Sequence, residues 1–96
     1  MEFQIEDNLD LLKNYNKIKL SNFSKPVLYN NERAAIIGLR AEQINRGSKL
    51  MIPVPQDTDN VIEFAKRELD ARKTPFILKR KINDNNSDYW KIEDLL

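Results

Sequence analysis

The chain has 96 residues with no Cys, no His and two Gly, and its 16 basic and 15 acidic residues leave a net charge of +1. Such a length holds one domain at most. Without thiol or imidazole, disulfides and nearly all structural zinc sites are excluded, and the side chains most used as nucleophile and base near neutral pH are missing. The balanced charge gives no field that would draw nucleic acid, and Gly38 and Gly47 cannot build a glycine-rich phosphate loop.

The opening Met1-Glu2-Phe3-Gln4-Ile5-Glu6-Asp7 is acidic where a secretory signal needs a basic start. No stretch approaches the roughly 20 apolar residues of a membrane-spanning helix. The expectation is an intracellular protein with no membrane partner. Residues 1–27 mix isolated apolar residues with many Asn and charges, and read as a polar tail. Leu9, Leu12 and Tyr15, or Leu11, Tyr15 and Ile18, fall at helical spacing, so the tail is either a short amphipathic helix or a segment that orders on a partner. Pro26 disfavours a helical Lys25 and marks the approach to the domain assigned to residues 28–96.

From Asn30 or Asn31 as cap, a helix is predicted to run to about Arg46, with Glu32 in the first turn and Gly47 as its stop. Ala34, Ile37, Ala41 and Ile44 form one stripe, with Ile36 and Leu39 beside it. Gly38 costs about 1 kcal/mol against Ala in a helix interior, which makes sense where another backbone or a bulky ring must come close. Arg33 and Arg40 share a face of this helix, where two guanidinium forks suit the carbonyls or carboxylates of a second protein.

Leu50-Met51-Ile52-Pro53-Val54-Pro55 reads as an extended apolar link to a second helix, capped by Asp59 or Asn60 and stopping near Lys73 before Pro75. Its stripe is Ile62, Ala65, Leu69 and Arg72, and Glu63 with Arg67 and Glu68 with Arg72 are expected as i,i+4 pairs. The period then changes to two. Phe76, Leu78, Arg80 and Ile82 alternate with Ile77, Lys79 and Lys81, a polar turn follows over residues 83–88, and Tyr89-Trp90-Lys91-Ile92 is the return strand. Trp90 reads as a core ring, and Glu93 to Leu96 as a closing turn. The predicted class is α+β: two main helices followed by a carboxy-terminal β-hairpin, with a polar amino-terminal tail.

The cations at Lys66, Arg67, Arg72, Lys73, Lys79, Arg80 and Lys81 are interleaved with Glu63, Glu68, Asp70, Asp84 and Asp88, which fits a solvated face better than a nucleic-acid surface. Asp57 with Asp59 and Asp84 with Asp88 lack a calcium-loop pattern and read as caps and turns. A freestanding interaction or nucleic-acid-binding module is the competing reading on residues alone.

Four segments in this order resemble the omega family of small RNA polymerase subunits: residues 32–44 around Gly38-Leu39-Arg40-Ala41, residues 62–69, residues 73–80 around Pro75-Phe76, and Tyr89-Trp90-Lys91-Ile92-Glu93-Asp94-Leu95. The likeness is to the archaeal and eukaryotic branch and spans about residues 28 to 95. Where that family has Thr-Lys-Tyr-Glu before its first helix, this chain has Tyr29-Asn30-Asn31-Glu32, and the family's Pro-Asp-Gly turn is Asn83-Asp84-Asn85-Asn86. The resemblance implies a non-catalytic accessory subunit of a DNA-directed RNA polymerase that clamps the largest subunit and promotes its folding and assembly, with no cofactor or small-molecule substrate and with nucleic acid met only through the complex. By position it implies partner contacts at Glu32, Arg33, Ile37, Gly38, Arg40, Ala41, Ile44, Pro75, Phe76 and Arg80. Apart from any resemblance, a domain this small buries only about 60% of its unfolded surface, so a partner is its remaining source of buried area.

Overall fold

The computed structural model describes residues 2–7 and 13–95. In chain order the elements are β1 (Phe3–Glu6), α1 (Tyr15–Leu20), α2 (Asn30–Asn45), α3 (Val61–Asp70), β2 (Ile77–Lys81) and β3 (Ser87–Lys91), followed by one 3-10 turn at Ile92–Asp94. The class is α+β, with the two expected helices and the expected hairpin in place. The segment read as a tail contributes a third strand and a short helix. Leu9, Leu11 and Leu12, on which the amphipathic reading of that segment partly rested, lie outside the described residues.

The chain divides into two compact units, Tyr29–Thr74 and the pair Met1–Leu28 with Pro75–Leu96. In the first unit α2 packs with α3. The start of α2 lies one residue earlier than an Asn30 or Asn31 cap would put it: Tyr29 holds the cap position, and the Glu32 carboxylate accepts the Tyr29 amide at 3.1 Å. The reaching-back carboxylate of a capping box thus satisfies an orphan donor without an Asn cap. At the other end Gly47 takes a φ of 103°, and the amides of Gly47 and Ser48 donate to the carbonyls of Ile44 and Gln43. That is the double bond of a Schellman stop, and it needs the left-handed conformation glycine adopts without strain.

Asn60 caps α3 as expected, its side chain accepting the Ile62 amide at 2.9 Å. The helix ends at Asp70 rather than near Lys73. Arg72 adopts a φ of 59°, and the amides of Arg72 and Lys73 turn back to the carbonyls of Leu69 and Glu68. The predicted Glu68 to Arg72 pair is therefore not made, because Arg72 has left the helix and Glu68 faces inward. Ile62 is half exposed, so the buried side of α3 is Ala65, Glu68 and Leu69 rather than the expected stripe.

The second unit is built on a three-stranded antiparallel sheet in the order β1-β2-β3. Phe3 lies opposite Arg80 and Ile5 opposite Leu78, while Leu78 also faces Trp90 and Arg80 faces Asp88. Arg80 and Leu78 share a face, as the alternation predicts, but Ile77 is as fully buried as Leu78. Central strands covered on both sides lose the simple alternation. Among the described residues of this unit, Tyr15, Phe76, Ile77, Leu78, Trp90, Ile92 and Leu95 are the buried apolar ones.

Candidate functional site

The residues singled out on α2 separate into three groups once burial is known. Glu32, Arg40 and Ala41 are buried, Arg33, Ile37 and Ile44 are half-buried, and Gly38 is exposed. The buried side of the helix is centred on Ile36 and Arg40, which turns Ala34 and Gly38 outward. A Cβ built on Gly38 would meet nothing within 4 Å, so packing in this chain gives no reason for glycine there. Leu39 is exposed at the edge of the same surface, and Tyr29, Met51, Val54 and Ile62 are further exposed apolar side chains of this unit.

Arg40 corrects the expectation that its guanidinium faces another protein. It is buried at 3% exposure against a fully buried Glu68 and forms a fork, Nε donating to Oε1 at 2.5 Å and Nη2 to Oε2 at 3.0 Å. Nη1 donates to Gln43 Oε1 at 3.0 Å and Nη2 to the Lys49 carbonyl at 2.7 Å, while Glu68 Oε2 also accepts the Met51 amide at 2.9 Å. The physical reason is that a charge removed from water is tolerated only when paired and bonded. One pair therefore joins α2 to α3 and fixes the backbone of the link on either side of Leu50. Arg33 stays nearer solvent, donating to Asp70 at 3.0 Å.

Phe76 and Arg80 are likewise buried within the chain, and Pro75 is half-buried. Arg80 donates through Nη1 to the Lys25 carbonyl at 2.8 Å and to Ser24 Oγ at 3.2 Å, and through Nη2 to the Val27 carbonyl. Ser24 Oγ also accepts from Trp90 Nε1 at 3.0 Å and donates to Asp88 Oδ2 at 2.5 Å. Asp88, expected in a turn, is instead a buried strand residue that accepts the amides of Phe23 and Ser24. Asn22 mimics a strand edge, its Nδ2 donating to the Tyr89 carbonyl at 2.8 Å and its Oδ1 accepting the Tyr89 amide at 3.2 Å. Residues 22–27 are thus wired to the hairpin. The sequence signal was Asn22 and Ser24 near Pro26, too common a pattern to be read.

A third cluster joins α1 to the chain end. The Tyr15 hydroxyl donates to Asp94 Oδ2 at 2.5 Å and accepts the Lys91 amide at 3.1 Å, and Lys19 pairs with Asp94 at 3.0 Å. Burial, reinforced by the bond to Asp94, pushes the Tyr15 phenol above its ordinary range. Burial works against ionisation of Asp94 too, but the bonds from Tyr15 and Lys19 and the charges of Lys19 and Lys91 outweigh it, and the carboxyl sits below its usual value. The Arg67 fork on Asp57, at 2.7 and 2.8 Å, holds that carboxyl down at about 2. Among the described residues no group of carboxylates has the arrangement of a metal site.

No family model matches the chain. Among curated proteins it is 30% identical over 92 residues to the probable DNA-directed RNA polymerases I, II, and III subunit RPABC2 of Caenorhabditis briggsae, covering 95% of this chain and 66% of that protein. It is 31% identical over 94 residues to the DNA-directed RNA polymerases II and V subunit 6B of Arabidopsis thaliana, covering 93% and 65%. It is 31% identical over 71 residues to the RPABC2 subunit of Saccharomyces cerevisiae, covering 74% and 45%. The chain spans just under two thirds of the first two relatives. These relatives define a class of small subunits of multisubunit RNA polymerases. The chain belongs to the omega family, in which they form the eukaryotic branch.

Proposed function

We propose that this chain is a non-catalytic accessory subunit of a DNA-directed RNA polymerase, which clamps the largest subunit and promotes its folding and assembly. The observation that carries the reading is similarity to named polymerase subunits along nearly the whole chain. Geometry supports it at α2. There Ala34 and Gly38 present a low, side-chain-poor surface, flanked by Ile37, Leu39 and Ile44, on which another backbone can lie closely.

The contact set divides accordingly. Arg33, Ile37, Gly38, Ile44 and Pro75 reach the surface and touch the partner, whereas Glu32, Arg40, Ala41, Phe76 and Arg80 hold the shape that is presented. The total buried area should exceed roughly 1,200 Å², the size of a stable specific interface. Such a subunit takes no cofactor or small-molecule substrate, meets nucleic acid through the assembled enzyme, and works inside the cell where transcription occurs.

The test is affinity purification of the tagged full chain from its native cells, with identification of the co-eluting proteins. Recovery of the largest polymerase subunit in near-stoichiometric yield is expected. A chain that elutes without polymerase subunits, and binds isolated DNA or RNA in a salt-dependent manner instead, would overturn the reading in favour of a freestanding nucleic-acid-binding module.

A further inference from the structure

The amide of Lys81 donates to the Glu2 carbonyl at 2.9 Å, just beyond the β1–β2 register in which Gln4 faces Lys79 and Glu6 faces Ile77. In an antiparallel ladder the bonded pairs recur every second residue. Gln4 and Glu6 therefore bond to β2, and the N–H and C=O groups of Phe3 and Ile5 point the other way. Among the described residues nothing bonds to that outer edge. The opposite edge of the sheet is closed, since Tyr89 is bonded by Asn22 and the Lys91 amide by the Tyr15 hydroxyl. The open edge is short and acidic, but it carries neither Lys nor Pro to block strand addition.

We propose that the β1 edge accepts an extended segment of another polypeptide as a fourth strand, one that alternates apolar residues with Lys or Arg. The occupant follows from charge. Segment 2–7 holds Glu2, Glu6 and Asp7 and no cation. Glu2 shares Lys81 with Asp84 at 3.9 Å each, and Glu6 and Asp7 have no ion-pair partner among the described residues. Opposite a half-buried Glu6, a cation is favoured, and opposite the half-buried Phe3 and Ile5, apolar side chains. A second copy of this chain is disfavoured by the same pairing rule. Joined antiparallel through Phe3 and Ile5, two β1 strands would set Glu2 of each against Glu6 of the other, like charges in direct opposition. This edge belongs to a different compact unit from α2, and the inference stands or falls separately from the polymerase reading.

The experiment uses the isotope-labelled full chain and two synthetic peptides, acetyl-Val-Lys-Ile-Arg-Val-Lys-amide and the same peptide with Glu at every Lys and Arg. The basic peptide should slow hydrogen exchange at the Phe3 and Ile5 amides about tenfold or more, and the acidic one should not. Ile5→Pro removes an outward donor without removing a bond to β2, and should weaken the basic peptide about five- to tenfold. Glu6→Lys leaves the strand intact and should reverse the preference between the peptides. Equal binding of both peptides, unchanged binding by Glu6→Lys, protection confined to other amides, or pairing of the chain with itself through β1 would each overturn the proposal.

Discussion

Arg40 shows how a residue legible as special was read with the wrong direction. Its place on a helix face with Arg33 was evident in the sequence, but a guanidinium facing a partner and one facing a buried carboxylate are written identically until Glu68 is known to lie opposite. Arg80 was half legible, since alternation put it on the apolar face of β2, and its bonds to Ser24 Oγ and to the carbonyls of Lys25 and Val27 show how that face tolerates it. The buried pair makes a firm expectation. Arg40→Met leaves Glu68 charged and unpaired and should cost about 3–5 kcal/mol in urea unfolding of the full chain, while Arg40→Met with Glu68→Met should recover much of it, less the loss at the Lys49 carbonyl and Met51 amide. Additive losses would mean that the two side chains are not coupled. Asp94 supplies the pH counterpart. Its folded carboxyl titrates below its unfolded value, so its contribution is complete above the ordinary aspartate range, near about pH 3.9, and is lost as pH falls through the lower folded value. Asp94→Asn should therefore flatten the fall in urea midpoint between about pH 5 and about pH 2. Parallel loss in the variant and the parent would remove Asp94 from the acid response.

Among the elements, those announced by local chemistry were legible and those made by distant pairing were not. Gly47 and Asn60 fixed a helix end and a helix start because a positive φ and an orphan amide each need a particular residue. β1 escaped notice because Phe3 and Ile5 alternate over only four residues, and their meaning lies in β2 at the far end of the sequence. The end of α3 was misplaced for a related reason: the stop is made by Arg72, a residue that gives no signal of leaving the helix. A non-glycine residue in the left-handed region is strained by roughly 1–2 kcal/mol, and among the described residues Arg72 makes no ion pair that would compensate. Arg72→Gly should stabilise the chain by about 0.5–1 kcal/mol, net of the greater freedom glycine has when unfolded. A thermal melt reads the change, and a lower midpoint would show that the Arg72 side chain contributes more than its backbone costs.

For the molecule as a whole, Gly38 sets folding against association. Within the chain it has no justification: it sits inside α2, a Cβ there would touch nothing, and helix propensity favours Ala by about 1 kcal/mol. Gly38→Ala should therefore stabilise the isolated chain, raising its melting midpoint by about 4–8 °C for a domain of this size. If the proposed partner lays its backbone on this surface, the same methyl group occupies the space that the contact needs, and co-purification with the largest polymerase subunit should fall while the chain itself becomes more robust. Gly38→Leu should carry the effect further and abolish association, because a branched side chain cannot be accommodated by small shifts in a packed interface. The opposed signs are what make the measurement decisive. A variant that folds better and assembles equally well would mean that no close approach occurs at Gly38, and the docking face would then have to be sought elsewhere, among exposed apolar residues such as Met51, Val54 and Ile62.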